Sequence, residues 1–195
     1  MSTLLAPVAL AALLASPQFV SSHAPTTASA PAPSASQPAR TGAPTAGGLT
    51  WQLPKTWKEQ PSTSAMRVST YFAPAAAGDT EGAEVAVFYF GQGQGGSVDS
   101  NVQRWLGQVA PEKGKTHPAS KTTKVGAIKV TLVTAEGTYA AGSAMGGPST
   151  SKPGYVLYGA IAEGPQGPVF FKMTGPKKTM AAAKAGLDEL VASLK

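Results

Sequence analysis

Three glycines, Gly91, Gly93 and Gly96, stand on the spacing G-x-G-x-x-G. After a parallel strand, that spacing lets the backbone approach a pyrophosphate and aims a helix N-terminus at it. A dinucleotide site also needs an acidic residue about 20 positions further on, at the end of a second strand. Glu112 has that separation but stands in the turn "APEKGK". Asp99 would put a negative charge in the first helical turn, where the phosphate belongs. The glycines therefore read as a strand-to-helix connection that uses positive φ, and no cofactor is expected. A small-molecule site at Gly91–Gly96 is one alternative. Ser149 and Lys152 fit S-x-x-K, a nucleophile signature, but they lie in a Pro/Gly loop and lack an S-D-N partner. From residue 49 on, the one histidine is His117, too few for a Ser-His-Asp triad or a His-rich metal site. The ten carboxylates are scattered without a pairing spacing. No catalytic residue and no metal ligand is expected; an enzyme with an unrecognised carboxylate/Arg site is the other alternative.

The residues better suited to binding are Asn101, Arg104, Met145 and Lys152. Asn101, Arg104 and Gln108 recur at helical spacing opposite an apolar stripe, either as a solvated face or as a clamp on the adjoining loop or a partner. Met145 stands beside Gly146, Gly147 and Pro148 in "AAGSAMGGPSTSKPG", a stretch longer than a hairpin needs, with Lys152 near its end. Lys113, Lys115, Lys121, Lys124 and Lys129 form the densest basic segment. It has no interleaved aromatics for base stacking, so no specific nucleic-acid partner is expected, and a solvated loop and edge strand accounts for it.

The elements that must position these residues follow from periodicity. "AMRVSTYFA" alternates, with Met66, Val68, Thr70 and Phe72 on one face and Arg67, Ser69 and Tyr71 on the other. "AEVAVFYFG" is apolar on both faces and should be central and covered on both sides. Val98, Val102, Trp105, Leu106 and Val109 form the stripe of a helix, capped by Ser97 or Asp99 and ended by Pro111. "TTKVGAIKVTLVTAEGTYA" reads as one or two strands, and "YVLYGAIA" and "PVFFKMTG" as a hairpin across "EGPQG". In the closing helix, Met180, Ala183, Leu187, Leu190, Val191 and Leu194 form the buried stripe, and Pro176 suits the first turn. The order is close to β-β-α-β-β-β-α. Hairpins dominate, so the fold class is α+β: a mostly antiparallel sheet with a helix on each face.

Composition bounds the setting. The chain has 195 residues, net charge +6 and no cysteine. Residues 1–24 carry an apolar stretch from Leu4 to Ala15 followed by small residues, the pattern of a signal peptide. That stretch falls short of the roughly 20 apolar residues of a membrane span, so no transmembrane helix is expected in the mature form. Residues 25–48, rich in Ala, Pro, Ser and Thr, read as a disordered tether. Residues 49–195 read as a single α/β domain, beginning with Trp51 and Trp57 at its edge. Without cysteine, export to a bacterial periplasm or exterior fits better than a small disulfide-stapled secreted domain. The modest positive charge favours anionic envelope material.

Three segments, "FGQGQGGSVDSNVQRWLGQV", "GSAMGGPSTSKPGYVLYGAIAEG" and "GPVFFKMTGPKKTM", resemble uncharacterised exported proteins of Gram-negative and planctomycete-type bacteria. Asn101, Arg104 and Trp105 match their N-x-x-R-W motif, and Phe170 to Pro176 match F-F-K-x-T-G-P. The resemblance implies a PsbP-like α/β/α sandwich, whose better-known members bind proteins rather than catalyse. The expected function is a non-catalytic, exported domain that binds another macromolecule, a protein or an anionic envelope polymer.

Overall fold

β-Branched and aromatic runs pair through tight turns in the computed structural model, which describes residues 43–60, 62, 66–112, 118–142 and 150–195. The described residues all lie in one compact unit, Ser36–Lys195. Their elements are β1 (Thr45–Ala46), β2 (Leu49–Thr50), β3 (Lys58–Gln60), β4 (Arg67–Ala73), β5 (Ala83–Tyr89), α1 (Val98–Leu106), β6 (Val109–Pro111), β7 (Ala119–Val125), β8 (Ile128–Ala141), β9 (Thr150–Gly164), β10 (Gly167–Pro176) and α2 (Lys177–Ala192). The large sheet runs β3-β4-β5-β10-β9-β8-β6, with β7 also paired to β8, and every pairing is antiparallel. β5 and β9 flank β10, so Phe170 pairs with Phe88 and Ile161, and Phe171 with Val87 and Ala160.

Because side chains alternate along a strand, neighbouring residues of β10 enter different cores. Phe171 and Met173 join Trp51, Tyr71, Val85, Val87 and α2 residues including Met180, Leu187 and Leu190. Phe170 joins Val102 and Trp105 of α1, with Val133, Leu157 and Ile161. Trp51 meets Phe171 edge-on at 5.1 Å, and Trp105 meets Phe170 at 6.4 Å. Both faces of β5 are used in this way, as its sequence implied: Val85 and Val87 in one core, Phe88 and Phe90 against the other. Gly159 is what lets α1 sit close. A Cβ there would lie 2.5 Å from Cε3 of Trp105, so the glycine leaves the ring its seat on the sheet.

Several boundaries differ from the sequence reading. Residues ahead of Leu49 already pair, because Gly47 and Gly48 take positive φ and fold Thr45–Ala46 back on Leu49–Thr50. The first helix ends at Leu106, before Pro111. Gly107 closes it with bonds back to Gln103 and Trp105, and Val109 leaves the expected helical stripe to pair with Tyr139 in β6. A bulge between Arg67 and Ser69 turns Arg67 toward Phe88 and leaves Ser69 opposite Val87, so these two do not share a face as simple alternation implied. The expected long loop 140–154 is shorter, since Ala140–Ser151 and Ala141–Thr150 already pair. Pro176 ends β10 and caps α2 from outside its first turn. Asp79, on the β4–β5 connection, supplies the missing side-chain cap: its carboxylate accepts from the Thr179 N–H at 2.9 Å and its hydroxyl at 2.7 Å.

Candidate functional site

The glycine-rich turn after β5 spends its polar groups on itself. Gly91, Gly93, Gly95 and Gly96 all have positive φ. At Gly95 a Cβ would press on the Phe90 ring at 2.7 Å, so only glycine fits that close turn. Ser97 then caps α1, accepting from the Ser100 N–H at 3.1 Å. Asn101 is 2% exposed, and its amide donates to the carbonyls of Gly95 at 2.7 Å and Ser97 at 2.8 Å. It is therefore a clamp on the adjoining loop and not part of a solvated face. Its Oδ1 accepts from the Arg104 guanidinium. β5 has antiparallel neighbours on both sides, and the chain leaving α1 joins β8 antiparallel. The parallel strand–turn–helix–strand unit of a dinucleotide site is not built here.

Polar side chains gather where α1 stops covering the sheet. Along β10, Phe170, Lys172 and Thr174 share a face, and Trp105 covers Phe170. Lys172 donates to Gln108 Oε1 and, at 2.9 Å, to the Tyr139 hydroxyl, with its ammonium 5.0 Å from the Tyr139 ring centre. Tyr139 stacks on Tyr155 at 6.2 Å. Lys152 lies 5.0 Å from the Tyr155 ring centre and pairs with Glu81 at 2.8 Å, and the Tyr155 hydroxyl also donates to Glu81. Arg67, 5.4 Å from the Phe88 ring centre, pairs with Glu84 at 2.9 Å.

The electrostatics follow. Burial, and then the positive charge of Arg104, pushes the Lys172 ammonium down to about 8. Burial also raises the Tyr139 and Tyr155 hydroxyls. The hydrogen bond between Glu81 and Lys152 lowers the carboxyl and raises the ammonium. Every Asp and Glu of the chain lies among the described residues, yet none forms an ion pair with Lys172 or Arg104. The region thus has two neutralised pairs and two cations without a carboxylate partner.

No protein-family model matches the sequence, and no curated protein does. Among solved structures, the chain is similar to cyanobacterial PsbP (CyanoP) from Synechocystis sp. PCC 6803. The TM-score is 0.47 and the identity 8%, over 76% of this chain and 86% of that one.

Of the residues singled out by sequence, Asn101 and Arg104 stand together on α1, and Lys152 reaches the same region through Tyr155 and Tyr139. Met145, Ser149, His117, Lys113 and Lys115 lie outside the described residues, as do residues 1–42. Lys121 and Lys124 sit on β7, and Lys129 pairs with Glu163 at 2.8 Å. Among the described residues no three His, Cys, Asp or Glu side chains are placed to hold a metal, and no helix is long and apolar enough to cross a membrane. A cleft of about 540 Å³ lies elsewhere, between Leu53, Trp57, Pro74 and the small residues Ala182 and Gly186 of α2. Sequence reasoning missed Lys172, Tyr139, Tyr155 and Glu81 as site residues. One signal was available: Lys172 interrupts the apolar run "PVFFKMTG" of a core strand.

Proposed function

We propose that this chain is an exported, tethered domain that binds another macromolecule in the bacterial envelope and does not catalyse a reaction. Residues 1–24 act as the leader, the Ala/Pro/Ser/Thr-rich tract as the tether, and the polar sheet region beside α1 as the contact. The domain is read as a PsbP-like α/β/α sandwich with a helix on each face, supported by the separation of Phe170 and Phe171 into cores that contain different helices. The observation that carries the binding reading is the lack of any carboxylate partner for Lys172 and Arg104 beside two stacked tyrosines. Lys172 is half-buried, and a covered cation left without a counter-ion is costly unless a ligand completes it; Arg104 is exposed and available to the same ligand.

A photo-crosslinking residue at the exposed position Gln103, introduced in the producing cell, tests this. A discrete adduct from Gln103 and none from exposed Ala181 on α2 is the expected result. Adducts in equal yield from both positions, or from neither, would overturn the reading. Mass spectrometry of the mature protein should find its amino terminus about two dozen residues into the chain; an intact Met1 on a cytosolic protein would remove the export part.

A further inference from the structure

We infer that Lys172 and Arg104 form a binding site for a carboxylate group, supplied by an acidic peptide segment of a partner protein. This deepens the macromolecule-binding reading and rests on it. An ammonium has three N–H donors. Lys172 gives two of them to Gln108 and Tyr139, which leaves one. Arg104 gives one bond to Asn101 and keeps most of its planar fork. Gln108, which accepts from Lys172, lies just past the end of the helix that carries Arg104, and one N–H together with a planar fork suits two coplanar oxygens better than the tetrahedral oxygens of a phosphate. Sugars and bases are commonly read by stacking on aromatic faces. Here the Tyr139 and Tyr155 rings are engaged by each other and by the Lys172 and Lys152 ammoniums. The region offers donors more than stacking platforms, and that favours an acidic peptide over a glycan.

The charges around Lys172 come from three elements, Arg104 on α1, Glu84 on β5 and Arg67 on β4, and the neutral Tyr139 hydroxyl faces it from β8. Arg67 and Glu84 satisfy each other, so the cationic surplus rests with Lys172 and Arg104. Lys172 is pushed down to about 8 by burial and by Arg104. A bound carboxylate would favour its charged form and raise that value.

The test is an NMR titration of the full mature chain, at low salt and pH 7, with hexaglutamate, oligogalacturonate and inorganic phosphate as separate probes. Saturable shifts at Arg104, Gln108, Tyr139 and Lys172 with hexaglutamate, and an upward move of the Lys172 titration midpoint, are expected. Binding should weaken at least about tenfold in Arg104→Gln, a substitution at an exposed position, and again in Arg104→Gln with Lys172→Gln. Unchanged affinity in Arg104→Gln would overturn the proposal. So would phosphate or oligogalacturonate binding as tightly as the peptide, or no saturable shift with hexaglutamate. The crosslink from Gln103 separates the two readings. An adduct without hexaglutamate binding keeps the macromolecule reading and removes the carboxylate site; hexaglutamate binding without an adduct leaves a carboxylate-binding pair but overturns its assignment to a partner protein.

Discussion

Gly159→Ala should be one of the more damaging methyl additions in this chain. The new Cβ would lie 2.5 Å from Cε3 of Trp105, where carbon atoms need about 3.5–4.0 Å. The indole has little room to move, being 3% exposed and set edge-on against Phe170. Overpacking of this kind costs about 1–3 kcal/mol. Trp105→Ala, which empties the same seat, should cost about 3–5 kcal/mol in lost burial and cavity. In the double variant the methyl enters space the indole has left, so the clash vanishes and part of the hole is filled. The double variant should therefore lose less than the two single losses combined, by about 1–3 kcal/mol. Urea melts of the four proteins close the cycle. Strictly additive losses would refute the reasoning, because they would mean that Trp105 does not rest on Gly159.

Lys172 titrates near 8 in the fold against an ordinary 10.5. Its charge therefore destabilises the fold below pH 8, and the penalty is relieved as pH rises to 10.5. Wild type should gain about 3 kcal/mol relative to Lys172→Met over that window, and a pH-independent difference in urea melts would contradict it. Asn101→Ala should cost about 1–3 kcal/mol, because it leaves the turn carbonyls of Gly95 and Ser97 without their amide. Arg104→Ala should stay within about 1 kcal/mol, and equal losses for the two in denaturant melts would count against the clamp. Asp79→Ala should lower stability by about 0.5–2 kcal/mol through the uncapped start of α2, and a melting temperature equal to wild type would show that the cap contributes nothing.

The framework was legible because burial writes a period into sequence. β5 carries apolar residues at every position from Val85 to Phe88, and both faces are used. The six residues read as the stripe of the last helix, from Met180 to Leu194, are all buried. The β9–β10 hairpin follows from its turn residues. The bulge at Arg67 and the move of Val109 into β6 were not legible, since each depends on a partner strand that sets the register. The polar region was the least legible part. Lys172, Tyr139, Gln108 and Glu81 come from four separate stretches and meet only through sheet order, so no local spacing announces them. Asn101 and Arg104 could be picked out because one helix turn already places them side by side.

The central place of β10 has a consequence for how the chain assembles. Among the described residues, the last strand in sequence is the one that joins β3-β4-β5 to β9-β8-β6. Until it is in place, the earlier strands can form only two separate half-sheets, each with an open inner edge. Neither half can finish its core either, because Phe170 and Phe171 arrive together on that strand. Folding of this topology is thus gated by contacts distant in sequence, which slows it. A nascent chain stalled before β10 is therefore an aggregation hazard and not a smaller working domain.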